Sequence, residues 1–319
     1  MYNDILQFIH AHQNFFLIGH KEPDGDCVGS QLALASFLRR TGKTAVPVSI
    51  GPFAKTEITH YEEQFQKQLP EIWPESSALI VMDCSSWNRT GFEDSALPAA
   101  LPLAYIDHHR APAPAASALC IDPTLPAVTC LVQGLIEASG STVQKAEADL
   151  LLFGLCTDTG FFRHLDAASS EVFAQVSRLV AAGASPKSSF YMMNGGKSVA
   201  SRQLMGLALQ RLEAHYDGRL LFTWMDLEDQ KKYGLAGRDS DMLYQLLMTI
   251  EGMEAVVVIR QESETACTVG FRSLDRVDVA AIAATFGGGG HRLAAGLFIE
   301  EQPARLRERI LEAFRPLFS

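Results

Sequence analysis

Four short polar clusters, each placed where an apolar run ends, carry the residue types that hold divalent cations. The first is His20-Lys21-Glu22-Pro23-Asp24-Gly25-Asp26. Its proline and glycine force a turn, and the alternate spacing of Asp24 and Asp26 lets both carboxylates aim into one site. Asp83 directly follows Leu79-Ile80-Val81-Met82, Asp107-His108-His109 follows Ala104-Tyr105-Ile106, and Asp158 stands in Thr157-Asp158-Thr159-Gly160. Gathered in one place, these carboxylates would repel one another, and some would stay protonated unless cations neutralised them. Carboxylate oxygens mixed with imidazole nitrogens suit Mn2+ or another first-row ion better than Mg2+, and the scattered cysteines argue against structural zinc. One carboxylate bridging two ions about 3.5–4 Å apart would let a bridging hydroxide attack phosphorus while the ions stabilise the developing charge.

Taken singly, each cluster has an ordinary structural role. An aspartate after a strand is a common helix cap or turn former, and Asp24-Gly25 alone is a turn. His10, His12, His60, His164 and His215 have no comparable company and stand as ordinary structural or surface residues. The far half adds Phe286-Gly287-Gly288-Gly289-Gly290-His291-Arg292, followed by Ala294-Ala295-Gly296. Its glycines leave backbone N–H groups free to approach an oxyanion, with charge from His291 and Arg292 alongside. Arg272-Ser273, at the end of an apolar run, is a second candidate phosphate contact, because guanidinium binds phosphate in bidentate fashion. Gly196-Lys197-Ser198 is no phosphate-binding P-loop, since Tyr191 stands where that motif needs glycine.

Positioning these groups calls for a sheet. Apolar runs at 15–19, 45–50, 78–82, 103–106 and 118–121, separated by helical or turn-rich stretches, predict strands of a doubly wound parallel α/β domain. Helices are expected at 30–40, 145–157 and 170–182. In such sheets ligands bind outside the carboxyl ends of the strands, so three of the clusters can converge there, with the fourth delivered by the long 145–157 helix. The pattern weakens across 183–197, the expected boundary, and a connector helix is expected over 198–214. Strands at 219–225, 255–260 and 265–271, a helix at 278–286 and a further strand near Gly296 predict a second, smaller α/β unit.

Composition narrows the function further. A chain of 319 residues with 47% hydrophobic and 20% charged residues is globular and long enough for two domains. The net charge of -10 argues against gripping long nucleic acid by broad phosphate neutralisation. The six cysteines show no CxxC pair, the N-terminus lacks the pattern of a secretory signal, and no apolar stretch is long enough for a membrane span, which together predict a cytoplasmic protein with no membrane partner.

These motifs together resemble the DHH phosphoesterases with a C-terminal DHHA1 domain, and within them the NrnA-type oligoribonuclease and pAp phosphatase group. His20-x-x-x-Asp24-Gly25-Asp26-x-x-Gly29-Ser30 is similar to the family's first motif and Asp83 to its second. Asp107-His108-His109 is similar to the third, and Thr157-Asp158-Thr159-Gly160-x-x-Arg163 to the fourth, while Gly287–His291 with Ala294-Ala295-Gly296 is similar to the DHHA1 signature. The resemblance implies a catalytic DHH domain over 1–185, a linker and connector helix over 186–214, and a substrate-binding DHHA1 domain over 215–319. It implies two Mn2+ ions, with Mg2+ or Co2+ as substitutes. His20, Asp24 and Asp83 would hold one, and Asp26, Asp83, His108 and Asp158 the other, with Asp83 as the bridge. Asp107 would orient an imidazole, and His109 would face the scissile phosphate or leaving oxygen. Arg163, Arg272, Ser273, Gly288, Gly289 and His291 would contact substrate, with the DHHA1 domain closing over the cleft. The family's second His is commonly followed by Ser-Asn, whereas Arg110-Ala111-Pro112-Ala113-Pro114 follows here.

The expected activity is a metal-dependent phosphodiesterase acting on short oligoribonucleotides and linear dinucleotides such as pApA and pGpG, with 3'-phosphatase action on pAp. The expected partners are therefore short oligonucleotides or small nucleotides and no long duplex, and a homodimer is admitted. Cyclic di-AMP hydrolysis is the alternative on the same scaffold. Inorganic pyrophosphatase activity and a catalytically silent nucleotide sensor are the more distant ones.

Overall fold

Five short apolar runs become the strands of one parallel sheet in the computed structural model, which describes residues 2–93, 101–110, 114–234 and 239–318. They are β1 (Asn14–Ile18), β2 (Thr44–Val48), β3 (Ser77–Met82), β4 (Leu103–Asp107) and β5 (Ala118–Ile121), in the order β2-β1-β3-β4-β5. All four ladders are parallel. Strands covered on both faces need apolar side chains at every position, which is why these runs show no alternation; every residue of β3 is buried. One face packs Leu17, Ile80 and Ile106 against Leu34, Leu38, Leu131 and Leu151. The other gathers Phe16, Ile18, Val81, Trp87 and Tyr105.

The helices of this first unit, residues 1–196, are α1 (Tyr2–Ala11), α2 (Gly25–Arg40), α3 (Val128–Ala138), α4 (Lys145–Asp158), α5 (Ser170–Ala181) and α6 (Pro186–Asn194). Two glycines let α2 and α4 meet closely. A Cβ on Gly29 would lie 2.6 Å from the Leu150 carbonyl oxygen, and one on Gly154 would lie 3.0 Å from the Asp26 Cα and from the Gly25 carbonyl oxygen. That approach brings the first turn of α2, with Asp24 and Asp26, up to the last turn of α4, with Asp158. The strand order reverses between β1 and β3, opening the crevice where doubly wound sheets bind ligands.

Helix α2 begins at Gly25, five residues before the expected start, because Asp24 caps it by accepting from the Cys27 N–H at 3.1 Å. The expected weakly patterned stretch at 183–197 holds α6, started by Ser185 as its cap and Pro186 at its first turn. The expected connector helix ends early: α7 (Val199–Gln210) gives way to a short strand, β6 (Glu213–His215).

The second unit, residues 197–319, is built on a mixed sheet. Its other strands are β7 (Leu220–Met225), β8 (Ala255–Gln261), β9 (Cys267–Ser273), β10 (Gly289–His291) and β11 (Ala294–Ile299), in the order β10-β11-β9-β8-β7-β6. Only β7 and β8 run parallel. Helices α8 (Leu227–Tyr233), α9 (Ser240–Leu247), α10 (Val279–Ala284) and α11 (Pro303–Phe318) complete it. Val257, Ile259, Val269 and Phe271 pack under α10 and α11 through Val279, Leu306, Ile310 and Phe314. Val256 and Val258, on the opposite face, pack under α7 and α9 through Leu204, Ala208, Leu243 and Tyr244. Among the described residues no helix is long and apolar enough to cross a membrane.

Candidate metal centre and substrate pocket

The strand-end clusters of the first unit converge. His20 follows β1, Asp83 follows β3, and Asp107 ends β4 with His108 and His109 just beyond. His20 Nε2 lies 3.8 Å from Asp24 Oδ2 and 3.5 Å from Asp83 Oδ2. His108 Nε2 lies 3.6 Å from Asp83 Oδ1 and 3.4 Å from Asp158 Oδ2. Asp83 thus turns one oxygen to each imidazole. Its backbone sits in the left-handed region, at φ 61°, where a short polar side chain that bonds locally is best tolerated. Ligand atoms of Asp26, His108 and Asp158 fall within 4.8 Å of one another, as do those of Asp83, His108 and His109.

Surrounding groups fix the orientation of each side chain. His20 Nδ1 donates to the Lys21 carbonyl at 2.9 Å, and His108 Nδ1 to the Leu125 carbonyl at 3.3 Å, so both rings present Nε2 to the cluster. Asp26 is wholly buried, and its oxygens accept from the Val128 N–H at 2.6 Å and the Thr129 N–H at 2.9 Å, at the start of α3. Those charge-assisted bonds at a helix N-terminus favour the carboxylate form. Asp107 takes no place in the cluster. Its carboxylate accepts from Ser85 Oγ, from the His108 and His109 N–H groups at 2.8 and 3.2 Å, and from His109 Nδ1 at 2.7 Å.

The cluster's electrostatics demand positive charge. Burial, reinforced by Asp26, pushes the Asp83 carboxyl up to about 8. Burial, with Asp26, Asp24 and Asp83, pushes Asp158 up to about 10. Burial also raises Asp26, against the pull of His108. Although burial opposes it, the carboxylates of Asp24 and Asp83 lift His20 to about 10. Against the effect of burial, His20 and Lys55 hold Asp24 below the usual carboxylate range. Most telling, Asp83 Oδ1 and His108 Nε2 are both buried and lack hydrogen-bond partners among the described residues. Unpaired buried polar atoms are costly, and facing oxygen and nitrogen donors on such a pair are what a divalent ion needs. The residues fit a metal.

Other expected contacts are more dispersed. Arg163 is exposed, its Nε donating to the Gly160 carbonyl at 2.8 Å. In the second unit Arg272 and Gly289 line a cavity of about 450 Å3. Gly288 packs against the Gly296 carbonyl and Leu297, and His291 is exposed at the end of β10, outside the cavity lining. Ser273 is buried, and its hydroxyl donates to the Val277 carbonyl at 2.7 Å, so it serves the turn after β9 rather than the cavity. Residues 111–113, part of the departure after the second histidine, lie outside the described residues.

Sequence reasoning passed over Cys27, whose sulfur lies within reach of His20 and Asp83. Burial raises that thiol well above its ordinary range, and it donates to Gln31 Oε1 at 3.3 Å. Ser240, Tyr244 and Arg260, which line the cavity, were passed over too. Arg260 had a signal: it keeps the alternation of Val256 and Val258 and so shares their face of β8.

The family profile described as DHH family, N-terminal domain, matches residues 14–155, and that of the DHHA1 domain matches 217–319. The bifunctional oligoribonuclease and PAP phosphatase NrnA of Thermus thermophilus is 28% identical over 94% of this chain and 89% of its own length. The cyclic-di-AMP phosphodiesterase PdeA of Listeria monocytogenes is 24% identical over 90% of this chain, which spans 45% of that protein's length. An exopolyphosphatase-related protein from Bacteroides fragilis shares the fold, with a TM-score of 0.84 at 21% identity over 99% of this chain and 97% of that one. Matched by both profiles, the chain carries a DHH-family N-terminal domain over residues 14–155 and a DHHA1 domain over residues 217–319.

Proposed function

We propose that this chain is a divalent-metal-dependent phosphodiesterase acting on very short oligoribonucleotides and linear dinucleotides such as pApA and pGpG, with 3'-phosphatase action on pAp as a second activity. The observation that carries this reading is the buried, unpartnered pair of Asp83 Oδ1 and His108 Nε2 at the centre of the acidic cluster. His20, Asp24 and Asp83 would hold one Mn2+, and Asp26, Asp83, His108 and Asp158 the other. When bound, such a pair of ions supplies an acidified water as nucleophile and neutralises charge building on the phosphoryl oxygens. The likeness to an oligoribonuclease and PAP phosphatase along most of both chains favours the same substrate class.

The remaining residues divide orientation and proton handling. A carboxylate only accepts, so His109 Nδ1 carries the proton shared with Asp107, and Nε2 is the nitrogen free to face substrate. The hydrogen bond to Asp107 raises the His109 pKa and favours the imidazolium, which can deliver its Nε2 proton to the leaving oxygen. Arg163 and Arg272 with Gly288, Gly289 and His291 would hold the substrate's phosphates. Asp107→Asn should cut turnover about ten- to hundredfold, the usual cost of removing a group that orients another. Its effect should fall on kcat, and a change confined to KM would contradict the orienting role.

The decisive experiment offers pApA, cyclic di-AMP, pAp and pyrophosphate side by side to the Mn2+-loaded protein. The linear dinucleotide should be hydrolysed fastest. Preference for the cyclic compound would move the assignment to the alternative reading, and turnover of none would reject it.

A further inference from the structure

We propose that His20, Cys27 and Asp83 form a mixed nitrogen, sulfur and oxygen site for a thiophilic divalent cation such as Zn2+. That ion would take the position proposed for the Mn2+ held by His20, Asp24 and Asp83, and close it. The inference names a metal that regulates the same centre, and it rests on the proposed function for its inhibition arm only.

The turn between β1 and α2 carries the sulfur to this place. Asp24 caps α2 by accepting from the Cys27 N–H, which fixes Cys27 in the first turn of the helix. The side chain then lies against the end of β1. A Cβ on Gly19 would stand 2.0 Å from Cys27 Sγ, so the thiol fits only because the residue before His20 has no side chain. One ligand atom each of His20, Cys27 and Asp83 lies within 4.8 Å of the other two. Cys27 and Asp83 are buried, while the His20 side chain, 12% exposed, keeps the group in touch with solvent. The cysteines are scattered along the sequence, yet the fold delivers this one to the acidic centre. Among the described residues no other such cluster of metal-ligating side chains includes a cysteine.

Spacing favours a single ion. Bonds of about 2.0–2.3 Å in tetrahedral geometry set the donor atoms about 3.3–3.8 Å apart. His20 Nε2 and Asp83 Oδ2 already stand 3.5 Å apart, and Asp24 Oδ2 stands 3.8 Å from the same nitrogen. The sulfur, within 4.8 Å of its two partners, has to close by no more than about 1.5 Å.

Donor chemistry then selects the ion. Imidazole and carboxylate accept most first-row cations, whereas a thiolate selects the thiophilic ones. The opposing force is a hydrogen bond. Gln31 Nε2 donates to the Leu17 and Val48 carbonyls at 2.7 and 3.3 Å, which turns Oε1 to accept the Cys27 thiol at 3.3 Å. A thiol is a weak donor, so this bond is a small loss beside a sulfur–metal bond. As the Sγ–metal bond forms the Sγ–H bond breaks, and the proton passes to solvent. Four protein donors, with Asp24 as the fourth, complete a zinc shell and leave no position for water. Zn2+ held in this way inhibits.

X-ray absorption of the chelator-treated full-length chain, loaded with one equivalent of Zn2+, reads the site without turnover. One sulfur at about 2.3 Å beside nitrogen and oxygen at about 2.0–2.2 Å is the expected shell. A shell with no sulfur, or with more than one, would overturn the site. Cys27→Ser should remove the sulfur and weaken Zn2+ at least about tenfold, the lower limit even for groups one step removed from a metal. Cys27→Ala repeats the comparison without a buried hydroxyl. Sulfur that persists in both variants would place the ion at another cysteine and end the proposal. In the kinetic arm, Zn2+ should inhibit hydrolysis of pApA by the Mn2+-loaded protein. Cys27→Ser should need at least about tenfold more Zn2+ for equal inhibition, and an unchanged requirement would overturn the closure. If the wild type shows the sulfur shell but hydrolyses no nucleotide with Mn2+, the proposed activity falls and the site stands.

Discussion

Asp83→Asn is expected to lower turnover by about a thousandfold or more, exceeding the ten- to hundredfold typical of groups outside the ligand set, while leaving the fold intact. The reason lies in how Asp83 is placed. Its Oδ2 faces His20 at 3.5 Å and its Oδ1 faces His108 at 3.6 Å, so this one carboxylate adjoins both halves of the cluster. Asparagine keeps the shape and tolerates the left-handed backbone at φ 61°. It also removes a buried carboxyl whose ionisation burial and Asp26 already oppose, pushing it up to about 8, so the metal-free protein loses little support. Alanine would do the chemical damage as well but would add backbone strain of about 1–2 kcal/mol in that region, which would confuse lost chemistry with lost stability. The measurement is kcat with saturating Mn2+ beside a thermal midpoint without metal. Activity within about tenfold of wild type would contradict the bridging role, and a fallen midpoint would show that Asp83 supports the fold instead.

The parts of this centre that were legible in the chain are those where a polar residue interrupts a strong local pattern. An aspartate directly after a fully apolar run marks the end of a buried strand whatever it does there: Asp83 lies just past β3, and Asp107 is the last residue of β4. The strands were legible for the same reason, since burial on both faces leaves continuous apolar runs with sharp limits. The partners of Asp26 were not. They are the backbone N–H groups of Val128 and Thr129, about a hundred residues away, and a backbone donor has no signature in sequence. The start of α2 was hidden because Gly25, a poor helix former, stands at its first position. Strand β6 is only three residues long, too short for a period to show. Arg260 escaped notice because it terminates the apolar run of β8, where a charged residue reads as a boundary; only the pairing of Val258 with Gly270 shows that it shares a cavity with Arg272. Helix α11 did carry a usable signal in the spacing of Leu306, Ile310 and Phe314.

Removing divalent metal should abolish turnover outright, and the pH dependence of stability should then report the site without any substrate. In the unfolded chain aspartate titrates near 3.9 and histidine near 6.5. In the folded, metal-free chain Asp83 stands at about 8, Asp158 at about 10 and His20 at about 10. Across pH 5 to 8 the folded state therefore keeps protons that the unfolded state releases, and stability must fall as pH rises. The depressed groups, Asp24 and Asp107, act in the opposite sense but only at acid pH, where their contribution is lost as pH falls. A divalent ion reverses the balance by displacing the protons on Asp83, Asp158 and His20, so its binding releases protons and tightens as pH rises. Scanning calorimetry of chelator-treated protein should thus show a midpoint that declines from pH 5 to 8. Mn2+ should raise the midpoint at every pH, and by more at pH 8 than at pH 6. In Asp83→Asn the Mn2+ shift should shrink at both. A midpoint that ignores Mn2+, or a shift larger at the lower pH, would mean that these carboxylates and imidazoles do not gather around cations.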